Sequence, residues 1–504
     1  MDTISAALGW LVSFASQELL LFAAIGMLLI GVDDLLFDGL WIASTGRGAS
    51  ANFCAARDGG GDESWPLQSG GAVGAEGPLA IFLPAWDEHE VLAETLAHML
   101  TAWDGEDFRI YIGCYPNDQR TILSISDKVS VDHRLRLVVA DRPGPTTKGH
   151  NLNQLWLALG ADERASGRRF AAVVLHDAED IVHPLELALY RRFLPNHAMV
   201  QIPVHAVMSR GSLWISGHYM DEFSEAHGKE LRLRSTLGLP IPSAGVGCAL
   251  SRAAVSLLAM ERDGLPFRPE SLTEDYEIGI LIGSYGLSAM FADMRTEAGD
   301  PIVSRGEFPS EFAAAVRQKA RWITGIALAG WGHLGWPALP AVRQQQPQGR
   351  QGRQGHQGKQ ARQGRLATWL GRWMLWRDRR APLAAIIMLA GYLGLAFALI
   401  HAAGRSVLGW EGANWGMWLA PLLAINGAML SWRLAMRAYF TTKNHGPMQG
   451  LLSIPRAVVA NFVAIFSAYH AVKLYFQMIG TGRTIWTKTH HSRRIANRLK
   501  GGSH

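Results

Sequence analysis

The chain has 504 residues, of which 48% are hydrophobic and 18% are charged, and its formal net charge is +5. This length accommodates one large domain with additional elements. Long apolar runs with few charges lie near both ends and exclude a simple soluble protein. The three cysteines, Cys54, Cys114 and Cys248, lack the spacing of a metal site or a disulfide framework, so we expect a reducing compartment.

The positive charge is concentrated in one segment. Between Arg343 and Arg380 the sequence has ten Lys or Arg residues and one acidic residue, Asp378. A basic segment beside apolar runs is typical of the cytoplasmic face of a membrane. No nucleic-acid motif accompanies it, so the sequence predicts no nucleic-acid partner.

The N-terminal region, residues 1–45, is predicted to hold a transmembrane helix. Residues 9–42 are mostly apolar, although a run long enough to span a bilayer must include Glu18. A buried amphipathic helix is the alternative. The first residues carry no Lys or Arg, which is unlike a cleaved signal peptide. Residues 46–77 are rich in Gly, Ser, Ala and Asp and are predicted to be a linker.

From residue 78 the pattern predicts strands alternating with helices, which is typical of a parallel sheet with crossover helices. The predicted strands are residues 79–83, 109–114, 135–140, 170–175 and 199–204, and the predicted helices include residues 90–100, 151–159 and 214–237. The first four strands end in polar clusters. In an open α/β sheet such ends meet at one edge, where ligands bind. The sequence therefore predicts a nucleotide site at this edge.

The most acidic cluster follows the strand at residues 170–175. It reads His176-Asp177-Ala-Glu179-Asp180, with three carboxylates in four residues. Carboxylates this close repel one another unless a cation lies between them. Asp177 and Glu179 are placed to reach one Mg²⁺ or Mn²⁺ that also holds phosphate oxygens. The alternative is an acidic turn in which Asp180 caps the next helix.

Other strand ends carry groups that suit a nucleotide. Asp118, and Asp87 or Glu88, can accept hydrogen bonds from a nucleobase. Lys148 lies in a Gly- and Pro-bordered loop and suits a diphosphate. Taken singly, each has an alternative as a surface turn residue. Their convergence favours a binding site.

Three further features complete the pattern. Residues 242–248 form a Gly-rich turn, where backbone can approach a ligand closely. Thr273-Glu274-Asp275 places carboxylates just before an apolar run, and Gln318-Lys-Ala-Arg321-Trp322 lies on a predicted helix.

In this order, the cluster at Asp177, the Thr-Glu-Asp and the Gln-x-x-Arg-Trp resemble the motifs of family 2 glycosyltransferases, in particular the membrane-bound cellulose- and hyaluronan-synthase type. The strings at residues 84–88, 115–118, 177–184 and 486–490 resemble those of the bacteriophage adsorption protein B (NfrB) group. The resemblance covers residues 78–330 and extends more loosely to the C-terminus. It implies an inverting GT-A fold, an α/β domain with a mostly parallel sheet and helices on both faces, at residues 78–331.

The resemblance also implies roles for individual residues. Glu88 and Asp118 would hold the base of a nucleotide sugar, expected to be uridine, and Lys148 would lie near the diphosphate. Asp177, Glu179 and Asp180 would hold the metal, Glu274 would belong to the substrate site, and Asp275 would be the general base. Gln318, Arg321 and Trp322 would shape the acceptor site and hold the leaving group. Inversion needs such a base opposite the leaving group and a metal to neutralise the diphosphate.

Alternatives and departures accompany these roles. Asp275 has an alternative as a helix N-cap and Trp322 as an aromatic residue at the membrane interface. Glu179 stands where the wider family has Asp. Longer NfrB-like proteins carry a C-terminal cytoplasmic regulatory domain, and we expect regulation through such a domain to be absent.

The C-terminal third is predicted to be associated with the membrane. Residues 332–380 would contain an interfacial helix, which the apolar run 323–339 begins, and a disordered basic Gln/Gly/Arg loop at 344–364. Residues 381–403 and 415–432 are predicted spans within the region 381–435. In the region 436–504, residues 458–479 contain Asn461, His470 and Lys473, which are unfavourable in lipid, and are predicted to be an interfacial or re-entrant helix before a basic tail. This gives three spans, with the N-terminus outside and the catalytic domain cytoplasmic.

These features favour an enzyme that extends a polysaccharide at the inner membrane of a bacterium. Its expected partners are a nucleotide-sugar donor, a glycan acceptor and membrane lipids. Three or four spans are few for a polysaccharide channel, so an outer-membrane or periplasmic export partner is also expected. A non-catalytic scaffold or receptor component and a single-transfer enzyme acting on a lipid carrier remain as alternatives.

Overall fold

The computed structural model describes residues 3–45, 75–208, 212–337, 357–412, 416–482 and 484. The strands are β1 Leu79–Pro84, β2 Phe108–Cys114, β3 Leu135–Val139, β4 Ala172–Leu175, β5 Met199–Gln201, β6 Val204–Val207, β7 Cys248–Ser251, β8 Ala289–Phe291 and β9 Ser304–Glu307. The helices of the sheet domain are α2 Leu92–Ala102, α3 Gln119–Val131, α4 Lys148–Ser166, α5 Glu186–Phe193, α6 Ile215–Glu225, α7 Arg232–Thr236, α8 Arg252–Met260, α9 Glu274–Ser284, α10 Phe312–Ile323 and α11 Gly330–Leu334. Two π-helical segments, Ala226–Leu231 and Thr324–Ala329, follow α6 and α10.

Long helices flank this domain on both sides. They are α1 Thr3–Thr45 before it, and α12 Gln357–Arg379, α13 Ala381–Leu408, α14 Leu419–His445 and α15 Pro447–Thr481 after it. Among the described residues, four of them (α1, α13, α14 and α15) are long and apolar enough to cross a membrane.

The main sheet has the strand order β3-β2-β1-β4-β7-β5-β8. All neighbouring pairs are parallel except the two that β7 makes with β4 and β5. Side chains alternate between the two faces of a strand. In β1, Leu79, Ile81 and Leu83 therefore pack on one face with residues of α2 and α5, while Ala80 and Phe82 pack on the other with residues of α4 and α8.

The first four predicted strands are present, and the predicted mostly parallel sheet with helices on both faces is confirmed. The strand predicted at residues 199–204 is wrong in its extent, because β5 ends at Gln201 and β6 begins at Val204 in a separate two-stranded sheet with β9. Sequence reasoning missed β7 and treated its start as the end of a Gly-rich turn. It also missed β6, β8 and β9. These strands have only three or four residues, which is too short to show a periodic pattern.

The helices α1, α13 and α14 pack through small residues and side chain to backbone hydrogen bonds. Ser16 Oγ donates to the carbonyl of Gly394 at 3.0 Å, and Asn426 Nδ2 donates to the carbonyl of Ala24 at 2.9 Å. A Cβ on Gly26 would lie 2.8 Å from Ile387. Small residues of this kind allow apolar helices to approach closely where lipid gives no hydrophobic driving force.

A cluster of charges ties α1 to the rest of the chain. Asp33 and Asp34 pair with Arg377 and Arg380, and Asp34 also pairs with Arg433. One helical turn further along, Asp38 accepts from Lys229 of the sheet domain at 2.7 Å; the aspartate and the lysine are each 3% exposed. Because buried charges are tolerated only when they are paired, these contacts fix the end of α1 against the sheet domain.

The last long helix, α15, lies along the sheet domain. Arg456 Nη1 donates to the carbonyl of Gly217 at 2.8 Å, and Ser467 Oγ donates to that of Val316 at 3.2 Å. Just beyond the helix, Thr484 Oγ1 donates to the carbonyl of Glu270 at 2.9 Å. Successive positions of α15 therefore contact the same domain from its first third to its end.

Several predictions concern residues that the structure describes only in part. The linker at 46–77 lies outside the described residues except for its last three, and the string at 486–490 and the basic tail lie outside them. The predicted disordered loop at 344–364 lies mostly outside them, and from Gln357 the chain is helical. The apolar run 323–339 contains the second π-helical segment and α11, which ends at Leu334.

We expect Gly279→Ala to lower stability by about 1–3 kcal/mol. A Cβ at this position of α9 would lie 2.3 Å from the carbonyl oxygen of Ile241 and 2.4 Å from the amide nitrogen of Ser243. Both are backbone atoms, which cannot rotate away. The measurement is thermal unfolding of the detergent-purified protein. Gly332→Ala in α11 is the control, because nothing lies within 4 Å of its added Cβ, and equal melting temperatures for the two variants would contradict the prediction.

Candidate active site

A cavity of about 200 Å³ opens at the carboxyl edge of β1 and β4. Ten of the eleven predicted site residues line it: Glu88, Lys148, Asp177, Glu179, Asp180, Glu274, Asp275, Gln318, Arg321 and Trp322. Asp118 is not among its described lining residues. The convergence of the strand ends that the sequence predicts is therefore present, and chain segments as distant as residues 88 and 322 contribute to one cavity.

Asp177 and Lys148 form the central ion pair. Asp177 follows β4, and Lys148 is the first residue of α4, where Thr147 caps the helix by accepting from the amide of His150. Lys148 Nζ lies 2.5 Å from Asp177 Oδ1. Burial alone lowers the pKa of Lys148, but Asp177, Glu274 and Asp275 outweigh it and raise that pKa. The ammonium therefore stays charged beside these carboxylates.

Asp180 contacts His176 and does not cap the next helix. Its Oδ2 lies 2.8 Å from Nδ1 of His176 and accepts from the amide of Asp177 at 3.0 Å. Helix α5 begins at Glu186 with Leu185 at the N-cap position and no side-chain cap. The alternative in which Asp180 caps this helix is therefore wrong.

His176 was not predicted to be a site residue. It is fully buried between Asp180 and Glu186, and its Nε2 lies 2.8 Å from Oε1 of Glu186. Burial lowers the pKa of His176, but Glu186 and Asp180 outweigh it and raise the pKa to about 10. The sequence signal is a histidine directly before the acidic cluster, and its partner ten residues later carries no motif.

Asp275 lies in the first turn of α9, where Thr273 occupies the N-cap position. Asp275 Oδ1 accepts from the amide of Tyr276 at 2.7 Å. The N-cap alternative for Asp275 is therefore wrong. Gly245, at φ +76, approaches so closely that a Cβ there would lie 2.2 Å from Asp275 Oδ2. This is the close backbone approach for which the Gly-rich turn was noted.

The two neighbouring carboxyl groups of α9 both have raised pKa values. Burial and the charge of Asp275 raise the pKa of Glu274 to about 8, against the opposing charge of Lys148. Burial also raises the pKa of Asp275, while Lys148 acts to lower it. A carboxylate with a raised pKa is a stronger proton acceptor, as a general base must be.

Helix α10 supplies the opposite wall through Gln318, Arg321 and Trp322. The Trp322 ring packs against Tyr219 and Phe223 of α6, with ring centroids 6.1 and 6.4 Å apart. Phe308 stacks on Tyr219 at 4.9 Å and also lines the cavity. Trp322 therefore belongs to an aromatic wall of the cavity, not only to a membrane interface.

The Asp118 side chain accepts hydrogen bonds from two backbone amides. It caps α3 by accepting from the amide of Thr121 at 3.3 Å, and it accepts from the amide of Asp87 at 2.6 Å. Asp87 has φ +54, a region that non-glycine residues rarely adopt. Asp118 thus stabilises the turn that presents Glu88, and its predicted contact with a base stays a prediction.

Trp86 and Tyr115 also line the cavity and were not predicted. Their rings meet edge to face at 5.2 Å. The loop that follows β3 folds over them, because Asn117 exchanges two hydrogen bonds with Gly144, at 2.8 and 2.7 Å. A Cβ on Gly144 would lie 2.7 Å from the Trp86 ring. Both aromatic residues lie inside quoted motif strings, so the sequence contained a signal for them.

Within the part of the chain that the structure describes, no three His, Cys, Asp or Glu side chains are placed to hold a metal ion. The cavity wall nevertheless carries seven carboxyl groups, those of Glu88, Asp177, Glu179, Asp180, Glu274, Asp275 and Glu307, against the basic groups of Lys148 and Arg321. Mg²⁺ and Mn²⁺ are held by one or two carboxylates together with phosphate oxygens. The donor set fits such an ion when a phosphate ligand shares it.

A comparison with family models identifies the class of the sheet domain. The family model described as "Glycosyltransferase like family 2" matches residues 77–325. The chain therefore contains a family 2 glycosyltransferase domain, and the predicted GT-A fold class, with long apolar helices outside the domain, is confirmed.

The chain is similar to bacteriophage adsorption protein B of Escherichia coli strain K12. It is 31% identical to that protein over 439 residues, which are 82% of this chain and 55% of the relative. Bacteriophage N4 adsorption protein B of E. coli O157:H7 gives the same values. The chain spans about half the length of these relatives.

Solved structures align more weakly. The mannosyltransferase PcManGT from Pyrobaculum calidifontis, in complex with GDP-Man and Mn2+, gives a TM-score of 0.41 at 14% identity over 85% of this chain and 99% of that one. TarS 1–349 of S. aureus gives a TM-score of 0.30 at 11% identity over 81% of this chain and 92% of that one.

We expect Lys148→Gln to move the acid limb of the pH profile of sugar transfer to higher pH. A general base works only when it is deprotonated, so activity is lost as the pH falls through its pKa. Lys148 lowers the pKa of Asp275, and removing its charge raises that pKa. The measurement is kcat/KM as a function of pH. Arg142→Gln is the control, because Arg142 is exposed and pairs with Asp141. An unchanged acid limb in Lys148→Gln would show that the pKa of Asp275 does not determine the position of that limb.

Proposed function

We propose that this protein is an inverting, Mg²⁺- or Mn²⁺-dependent glycosyltransferase. It transfers a sugar from a nucleotide sugar, expected to be a UDP-sugar, to a growing polysaccharide at the cytoplasmic face of the bacterial inner membrane. The observation that carries the proposal is the convergence of Lys148, Asp177, Asp275 and Arg321 on one cavity. A scaffold or receptor component has no physical need for these four groups in one place.

The charge of the cavity supports the metal dependence. Seven carboxyl groups and two basic groups line it, and protonation of Glu274, whose pKa is about 8, removes only one negative charge at neutral pH. A diphosphate entering this site meets a negative field, which a divalent cation would reduce. Asp177 and Glu179 would hold the ion, with Asp180 as a third candidate, and the ion would neutralise charge on the departing diphosphate.

The chain's own residues supply the remaining chemistry. Asp275 would take the proton of an acceptor hydroxyl as its oxygen forms a bond to the anomeric carbon of the donor sugar. The bond from that carbon to the diphosphate breaks on the opposite face, and the nucleoside diphosphate leaves with the bonding electrons. Lys148 and Arg321, which line the cavity, would hold the charge that develops on its phosphate oxygens.

The acceptor is expected on the α10 side of the cavity. Trp322 and Phe308 offer aromatic faces there, and Gln318 Oε1 is buried without a hydrogen-bond partner among the described residues. A sugar hydroxyl could donate to this oxygen while the ring packs on the aromatic wall. The combination of Gln318, Arg321 and Trp322 favours repeated extension of a glycan over a single transfer to a lipid carrier.

The membrane arrangement follows from the helix contacts. Helices α1, α13 and α14 would form three spans, and α15 would lie at the cytoplasmic interface, as the polar residues within 458–479 predict. Arg456 near the start of α15 and Thr484 beyond its end both bond to the catalytic domain, which supports a position of α15 along that domain. Its outward side chains, including Phe462, Tyr469 and Phe476, are exposed and apolar enough to contact lipid.

We expect the purified protein to release UDP from one sugar in a panel of UDP-sugars, in the presence of Mg²⁺ or Mn²⁺ and a glycan acceptor. Asp275→Asn should lower turnover by about 10²–10⁴-fold, and Asp177→Ala should abolish metal-dependent turnover. UDP release in detergent is the measurement. Asp127→Asn, an exposed position on α3, is the control and should retain activity.

The outcomes separate the hypotheses. Turnover that survives Asp275→Asn would show that Asp275 is not the base. Failure of the wild-type protein both to turn over any sugar and to bind UDP with metal would favour the scaffold hypothesis. Transport of polymer into liposomes by this protein alone would contradict the expected need for an export partner.

We expect a cysteine at Thr481 to be inaccessible from outside the cell. In spheroplasts, a membrane-impermeant maleimide should label Glu411→Cys, in the loop between α13 and α14, but not Thr481→Cys. Detergent permeabilisation should expose the second site, which controls for intrinsic reactivity. Labelling of Thr481→Cys in sealed spheroplasts would show that α15 crosses the membrane.

A further inference from the structure

We propose that His176 and Glu186 position the acidic loop after β4 by acting through Asp180, and that Asp180 is a positioning residue for Asp177 and Glu179 and not a ligand of the metal. This inference rests on the proposed metal-dependent transfer. It assigns a role to two buried residues that the mechanism above does not use.

Four buried residues, Tyr190, Glu186, His176 and Asp180, form an unbroken hydrogen-bonded chain beneath the cavity. Tyr190 Oη donates to Glu186 Oε1 at 2.8 Å, and the same oxygen lies 2.8 Å from His176 Nε2. His176 Nδ1 lies 2.8 Å from Asp180 Oδ2. The exposed fractions of Tyr190, Glu186, His176 and Asp180 are 0, 0, 0 and 2%. The chain therefore runs from the core of α5 to the loop that carries the candidate ligands.

With both carboxyl groups ionised, His176 donates at both ring nitrogens. Each nitrogen faces a carboxylate oxygen, and a carboxylate in this setting accepts but does not donate. Burying such charges is unfavourable, and well-packed apolar residues would serve stability as well or better. A buried ionic chain that ends under a binding loop is better explained by orientation of that loop, as with the outer-shell partners of metal ligands in general.

Asp180 transmits the orientation to the ligands. The carboxylate oxygen that contacts His176 also accepts from the amide of Asp177 at 3.0 Å. On the other side of the turn, Ile181 exchanges backbone hydrogen bonds with Arg305, at 2.8 and 3.0 Å. The turn between them is thus held at both ends, which leaves Asp177 and Glu179 to face the cavity.

The test is a double-mutant cycle on Mn²⁺-dependent UDP binding, measured by calorimetry on the full-length protein in detergent. The variants are His176→Gln, Asp180→Asn and the combination of both. If His176 acts through Asp180, His176→Gln should weaken Mn²⁺ affinity by about 10–100-fold. The Mn²⁺ affinity of the double variant should then equal that of the single variant with the lower affinity. UDP binding without metal should be unchanged, which a general loss of structure would not produce.

Two further variants serve as references. Glu179→Gln removes a direct ligand that His176 positions, so it should weaken Mn²⁺ affinity by a smaller factor in the His176→Gln background than in the wild-type protein. His197→Gln replaces a histidine that contacts Ser288 away from the cavity and should leave both affinities unchanged. If His176→Gln does not fold, Glu186→Gln takes its place in the cycle, because its amide oxygen still accepts from Tyr190 and His176 while the charge is lost.

Two results would overturn the proposal. If Asp180→Asn lowers Mn²⁺ affinity by the same factor in the wild-type and His176→Gln backgrounds, Asp180 acts independently of His176, as a ligand. Unchanged Mn²⁺ affinity in folded His176→Gln would make His176 a core residue only. Absence of Mn²⁺-dependent UDP binding in the wild-type protein would instead refute the proposed function, and the inference with it.

Discussion

The repulsion between carboxylates at one edge of the sheet is the constraint on which the site depends. Folding brings Asp177, Glu274 and Asp275 to the same cavity from segments about 100 residues apart. Lys148 lies among them, and its pairing with Asp177 at 2.5 Å compensates part of this charge. The excess negative charge that remains is what makes the cavity suited to a cation and a diphosphate together.

A second set of ion pairs fixes this domain to the membrane helices. Asp33, Asp34 and Asp38 lie on a mostly apolar helix, and each pairs with a basic residue from another segment. Arg377 and Arg380 belong to the basic region that the sequence predicts for the cytoplasmic face. Part of that region therefore forms ion pairs within the protein. Helix α15 adds a further contact, because Ser467 bonds to the backbone of α10, which carries Gln318 and Arg321. The position of α10 is thus coupled to one of the long apolar helices.

The sequence was sufficient for much of the sheet and for most of the cavity. The strands from β1 to β4 are long enough or apolar enough to recognise, and their polar ends predicted Glu88, Lys148 and Asp177. Sequence reasoning did not foresee that the Asp118 carboxylate accepts from two backbone amides, and its predicted contact with a base stays a prediction. Sequence reasoning failed for His176 and Glu186, since a buried pair ten residues apart leaves no periodic signal.

Local pattern determined what each segment is: which runs are strands, which are long apolar helices, and which side chains follow a strand end. That information is local because hydrogen bonding and side-chain alternation repeat over a few residues. Tertiary structure alone decided which carboxylates face the cavity and which are engaged elsewhere, and it placed both ends of α15 on one domain. These outcomes depend on contacts between segments far apart in sequence, where burial and the nearest opposite charge decide the role of a side chain.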